Sequence, residues 1–141
     1  MDEVIRAHGH EHVRAEHAST FEVTSDDWLT PAGDCILAIE ADRTPADFAD
    51  EFVDACQSHD ATISVTVAVD TGEQTYEQTV RGRGHPDLTF DGDRSIVFRT
   101  SDYVDDRTGM VGADHAADGF DDELVAALAS GADLTLTIRV E

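Results

Sequence analysis

Two stretches of the chain alternate strictly between apolar and polar or small residues. Ile63, Val65, Val67 and Val69 interleave with Thr62, Ser64, Thr66 and Ala68, and Leu134, Leu136, Ile138 and Val140 with Thr135, Thr137 and Arg139. A period of two predicts strands with one buried face. Shorter strands are predicted at Val4–His8 and at Ser19–Thr24, where Phe21 and Val23 alternate with Thr20, Glu22 and Thr24. The apolar run Cys35–Ala41 predicts a buried strand, and the turn residues of "VDTGEQ" (69–74) a hairpin. Elsewhere the period lengthens. Phe48, Phe52, Ala55 and Cys56 share a helical face behind Thr44 as N-cap, Pro45 at N1 and Asp47 at N3. Phe120, Leu124, Ala127 and Leu128 do so behind Asp118 as cap and Asp121 at N3, with Gly131 ending the helix.

The order of these elements repeats. "VIRAHGHEHV" (4–13) resembles "TVRGRGHPDL" (79–88), and "STFEVTSDDWL" (19–29) resembles "RSIVFRTSDYV" (94–104). Ala41-Asp42 recurs as Ala113-Asp114, "FADEFV" (48–53) as "FDDELV" (120–125), and "TISVTVAV" (62–69) as "DLTLTIRV" (133–140). Five matched blocks in one order point to an internal duplication. Each half alone buries too little surface to stand. The expected architecture is mainly β (α+β): one domain over 1–141 made of two repeats, roughly 1–70 and 74–141. The repeats are expected to pack as a pseudo-two-fold, β-sandwich-like unit with two short helices.

Charge narrows the picture. The chain carries 31 acidic and nine basic residues, for a net charge of −22, and every basic residue is Arg. The acids are spread through the apolar pattern, which argues for a folded, strongly hydrated, salt-adapted protein and not for a disordered acidic tail. In about 1 M salt screening acts over only ~3 Å, so the charge speaks of solubility more than of a partner. No basic stripe suggests nucleic acid. The start "MDEVIRAHGH" has no apolar signal core, and no apolar run approaches a membrane span. A cytoplasmic protein is expected. Cys35 and Cys56 are the only cysteines, too few for a disulfide framework.

The stretches "GHEHVRAEHASTFEVTSDDWLTPAGDCILAIEAD", "GRGHPDLTF" and "SDYVDDRTGMVGAD" together resemble the archaeal family known as domain of unknown function 371, across nearly the whole chain. Together with the acidic composition the resemblance suggests a haloarchaeal member. It implies a β-rich, sandwich-like fold with a few short helices and carries no assigned function. In the family pattern Lys often follows each "AD". Here Arg43 and His115 stand there, which removes any role needing a Lys amine.

Candidate chemistry clusters in the loops. "HGHEHVRAEH" (8–17) holds four histidines, and imidazole suits Zn, Cu, Ni or Fe. The repeat splits this cluster. His8 becomes Arg83, His12 becomes Asp87, and Gly stands at 92 in place of His17. Only His10 keeps its counterpart, His85, each after a Gly, which favours a turn with the imidazole bonded to backbone. His17, alone in its half, is the better candidate for an asymmetric site. His10 and His17 are the possible metal ligands, although no His-Glu-x-x-His or Cys-x-x-Cys accompanies them. Asp34-Cys35 starts a strand, where Cys is more often a small buried hydrophobe than a nucleophile. Arg107, in the matching loop, would pair with Asp34 or bind an anion. Arg81 and Arg83 are candidates for the same anion. Asp42 and Asp114, ending equivalent strands, suit backbone N–H groups better than acid–base work.

The leading expectation is a small-ligand or metal-binding domain, with catalysis left open. Its site lies between the repeats and draws on His10, His17, Asp34, Cys35, His85 and Arg107. Ligand and cofactor are not specified. The rival is a non-catalytic assembly module, such as a homodimer, offering "TISVTVAV" and "QTYEQTV" as pairing edges.

Overall fold

The computed structural model describes residues 1–141. The chain is mainly β, with two sheets and two helices. Strands β1 (Asp2–His8), β2 (Thr20–Thr24) and β3 (Ile36–Ala38) lead into helix α1 (Asp50–Cys56) and strand β4 (Thr62–Asp70). Then β5 (Thr75–Arg83), β6 (Ser95–Arg99) and β7 (Thr108–Met110) lead into α2 (Asp122–Ala129) and β8 (Asp133–Val140). The first sheet is antiparallel in the order β1-β8-β4-β5, and the second runs β3-β2-β6-β7. In the second, β2 pairs antiparallel with β6 at the centre and each outer strand lies parallel to its neighbour.

Alternation in β4 and β8 sends Ile63, Val65, Val67, Leu134, Leu136 and Ile138 into a core they share with both helices and with Phe21 and Phe98 of the second sheet. Each fully buried side chain of this kind contributes about 1.5–3 kcal/mol. The phenyl rings of Phe21 and Phe98, opposite each other on β2 and β6, stack at 4.8 Å.

Backbone details recur between the halves. Gly9 N–H donates to Ala132 and Gly84 N–H to Ala61, both at 2.9 Å. Ala15 and Phe90 are both left-handed, at φ 50° and 52°. So are Glu40 and Gly112, at 53° and 59°. The halves also clasp each other: Ala46 N–H reaches the Gly92 carbonyl, and Asp118 N–H the His17 carbonyl.

Three expectations need correction. Thr44-Pro45-Ala46-Asp47 caps a 3₁₀ turn, Pro45–Asp47, and not the α-helix. Phe48 then turns extended at ψ 149°, and α1 begins afresh at Asp50. Asp118 likewise lies within a 3₁₀ turn, Ala117–Gly119, and Asp121 is the N-cap of α2, not N3. The strand expected over Cys35–Ala41 shrinks to Ile36–Ala38, because Glu40 takes a positive φ. Lastly, "TISVTVAV" is no edge, since β4 lies between β8 and β5. The edge strand β5 is partly closed by Val111 and Asp114, as β1 is by Ile39 and Asp42.

Candidate functional site

The two central strands of the second sheet bring the halves together. In their register Thr20 opposes Arg99, Glu22 opposes Val97 and Thr24 opposes Ser95. These side chains share the face turned away from Phe21 and Phe98.

The first half supplies His17, Asp34 and Cys35 to this face. The Asp34 carbonyl accepts from the backbone of Glu16 at 3.0 Å and of His17 at 3.4 Å, which ties the histidine loop to the start of β3. His17 Nδ1 accepts the Thr20 N–H and the Thr20 hydroxyl, each at 3.2 Å. That fixes the Nε2–H tautomer, and Nε2 has no partner. The Cys35 thiol donates to Glu22 Oε1 at 3.5 Å. Burial, reinforced by the Glu22 carboxylate, pushes this thiol up to about 11, so it stays protonated and is a poor nucleophile at neutral pH. Cys56, buried on α1, is pushed up to about 12 by burial alone.

Opposite Thr20, the second half builds an ionic cluster. Arg99 is only 11% exposed in its side chain; its Nε donates to Thr108 Oγ1 at 2.9 Å and its Nη2 to Asp105 Oδ2 at 3.1 Å. Its guanidinium lies 4.8 Å from the centre of the exposed Tyr103 ring. Arg107 joins the same carboxylate through its backbone N–H at 3.0 Å and its Nη2 at 3.2 Å. Burial raises the Asp105 carboxyl, but the Arg107 N–H, the Thr108 hydroxyl and the two guanidiniums outweigh it and hold the group below its ordinary value. Arg107 therefore pairs within its own loop, and not with Asp34 as one sequence reading had it.

The remaining candidates lie apart. His10 Nδ1 accepts the His12 N–H, and His85 Nδ1 the Asp87 N–H, both at 3.0 Å. Each is thus a turn clasp made by its own side chain. No hydrogen bond links either to His17, Cys35 or Arg107. His85 borders an open cleft of about 600 Å³ that reaches Asp105 and Tyr103 and also carries Asp87, Asp91, Asp102 and Asp106. A groove of about 780 Å³ between the β4–β5 hairpin and the end of α2 contains none of the six. No three His, Cys, Asp or Glu side chains gather as a set able to hold a metal ion; the His10 and His12 rings lie 5.0 Å apart, centre to centre. Asp42 and Asp114 bond the N–H groups of Arg6 and Arg81.

Sequence reasoning passed over Glu22, Arg99, Asp105 and Tyr103. The signal for Arg99 was its place at the end of a strand whose other residues are buried; the contact across β2 and β6 had none.

The model of the family described as a domain of unknown function (DUF371) matches residues 5–141. An uncharacterized protein of Methanocaldococcus jannaschii is 34% identical over 140 residues, which cover 99% of this chain and 100% of that protein. No helix is long and apolar enough to cross a membrane.

Proposed function

The chain belongs to the DUF371 family, and from that premise we propose a cytosolic, salt-adapted domain that binds a small anionic ligand on the outer face of its second sheet. The two halves are read as duplicated repeats packed into one sandwich-like domain, with the site where β2 and β6 join them. One observation carries this: the guanidiniums of Arg99 and Arg107 converge on the single carboxylate of Asp105, in a chain of net −22. Arg99 stands across the strand pair from Thr20, which His17 bonds. Arg107, 45% exposed in its side chain, is the anchor for a carboxylate or phosphate. His17 Nε2–H supplies a further donor. With the thiol of Cys35 protonated, the reading is binding and not nucleophilic catalysis.

The test is calorimetric titration in concentrated KCl with inorganic phosphate and a panel of small carboxylic acids. At least one is expected to bind, with Arg107→Ala and His17→Ala each weakening it about tenfold or more. If no probe binds, or both variants bind as the wild type does, the reading fails.

A further inference from the structure

The outward residues of the first sheet form a grid fixed by its registers. One row reads Asp2, Arg139, Ser64, Arg81; the next Val4, Thr137, Thr66, Thr79; the next Arg6, Thr135, Ala68, Glu77. No element of the chain covers this face: Arg6, Arg81 and Glu77 are exposed, and the threonines at its centre are half-exposed. Its charge differs from that of the rest of the molecule. It holds Arg6, Arg81, Arg83 and Arg139 against Asp2, Glu77, Asp70, Asp133 and Glu141, so it is close to balance while nearly all of the net −22 resides elsewhere. Every other arginine has a carboxylate within ion-pair reach; Arg6, Arg81 and Arg83 have none, in a chain with 31 acidic residues.

The corners of the grid alternate in sign: Asp2 and Glu77 on one diagonal, Arg81 and Arg6 on the other. A square of alternating charges complements itself when turned over. We propose that this face is the interface with a second copy of the chain, joined by a two-fold axis that lies between the two faces and runs perpendicular to the strands. Turned over about that axis, Arg81 meets Glu77 of the second copy and Arg6 meets its Asp2, while the uncharged row meets itself. A two-fold contact of this kind uses one patch twice. Four strands about 4.8 Å apart and about seven residues long offer on the order of 450 Å² of flat area per copy. For two copies that is near the roughly 1,000 Å² of a minimal specific interface, so the dimer is concentration-dependent.

The experiment is sedimentation velocity on the full chain across a wide concentration range, with circular dichroism to verify folding. The wild type is expected to pass from monomer to dimer. Arg81→Glu abolishes the dimer, Thr66→Arg at the centre weakens it, and Glu77→Arg/Arg81→Glu restores it, because the exchanged pair is again complementary. A wild type monomeric throughout overturns the proposal. So does an Arg81→Glu protein that dimerises normally, or a double exchange that stays monomeric. A monomer that instead captures polyglutamate through Arg6 and Arg81 overturns it in favour of an acidic partner. None of these outcomes touches ligand binding on the second sheet.

Discussion

Glu3 and Gln78 occupy matching places on β1 and β5, and each receives the backbone N–H that opens a helix. Glu3 Oε2 accepts from Ala49 at 2.8 Å ahead of α1, and Gln78 Oε1 from Asp121 at 3.0 Å ahead of α2. The chemistry around them differs. Glu3, 8% exposed, is paired with Arg43, whose Nη2 lies 2.6 Å from Oε1 and whose Nη1 donates to the Val4 carbonyl. Gln78 donates through Nε2 to the Gly119 carbonyl at 2.7 Å and lies 3.0 Å from His115 Nε2. Since the amide can only donate there, His115 Nε2 must accept, and its Nδ1–H goes to the Ala116 carbonyl at 2.8 Å. A neutral amide takes a neutral imidazole; a carboxylate takes a guanidinium. The polar partner differs along with the residue it serves, while both helix starts receive the same kind of bond.

The largest effect tests the part of the scaffold the halves share. A Cβ on Gly9 would lie 1.8 Å from the Leu128 carbonyl oxygen, and one on Gly84 would lie 2.2 Å from that of Cys56. Neither obstacle is a side chain that can rotate away. Gly9→Ala and Gly84→Ala are each expected to cost at least about 3 kcal/mol, Gly9→Ala more, in chemical denaturation. Near-neutral results would break the equivalence of the two clasps.

Next come the caps. Arg43→Ala leaves a buried carboxylate without its counter-charge and is expected to cost about 3 kcal/mol. His115→Ala removes two neutral hydrogen bonds, to Gln78 and to Ala116, and an edge contact with Phe120, for about 2 kcal/mol. The graft Glu3→Gln/Arg43→His installs the second half's pair in the first. It is expected to recover most of the loss, and its failure would show that the two caps are not interchangeable.

The same contrast explains what could be read from sequence. The long strands were legible because Val65 or Leu136 must alternate with polar neighbours to bury one face. Glu3 was legible in principle: it shares the inward parity of Ile5 and Ala7, so it needs a buried partner. The helix starts were misread because Thr44-Pro45-Ala46-Asp47 satisfies a 3₁₀ turn as well as an α-helix, and nothing local says that Phe48 will turn extended. Within the candidate site, His17 was singled out because the second half has Gly92 in its place. That Thr20, which His17 bonds, faces Arg99 depends on which strands pair, a long-range choice that no spacing encodes.

A smaller effect separates Cys35 from its counterpart, Arg107. At about 11, only about one Cys35 thiol in a thousand is ionised at pH 8, so alkylation should be slow. Glu22→Gln removes the neighbouring negative charge and is expected to speed labelling a few-fold, read by mass spectrometry. Rapid labelling of the wild type would contradict the protonated thiol on which the binding reading relies.

The smallest effect lies at His8, whose counterpart Arg83 does not titrate near neutrality. His8 Nδ1 donates to the Gly9 carbonyl at 2.8 Å and Nε2 to Glu40 at 3.0 Å, so both nitrogens favour the imidazolium. The Gly9 bond raises its pKa above 6.5, burial opposes, and Glu40 adds to the rise. A group whose pKa is higher folded than unfolded contributes fully below the unfolded value. The contribution is therefore complete below about pH 6.5 and disappears as pH climbs through the raised value. With the side chain 38% exposed, solvent screening keeps it well under about 1 kcal/mol. Denaturant midpoints measured between mildly acidic and mildly alkaline pH should fall slightly with rising pH. His8→Arg, which gives the first half the charge of the second, should flatten that slope, because the guanidinium keeps its proton throughout. A slope that survives the substitution would mean that another group carries it, and that His8 and Arg83 differ in titration without consequence for the fold.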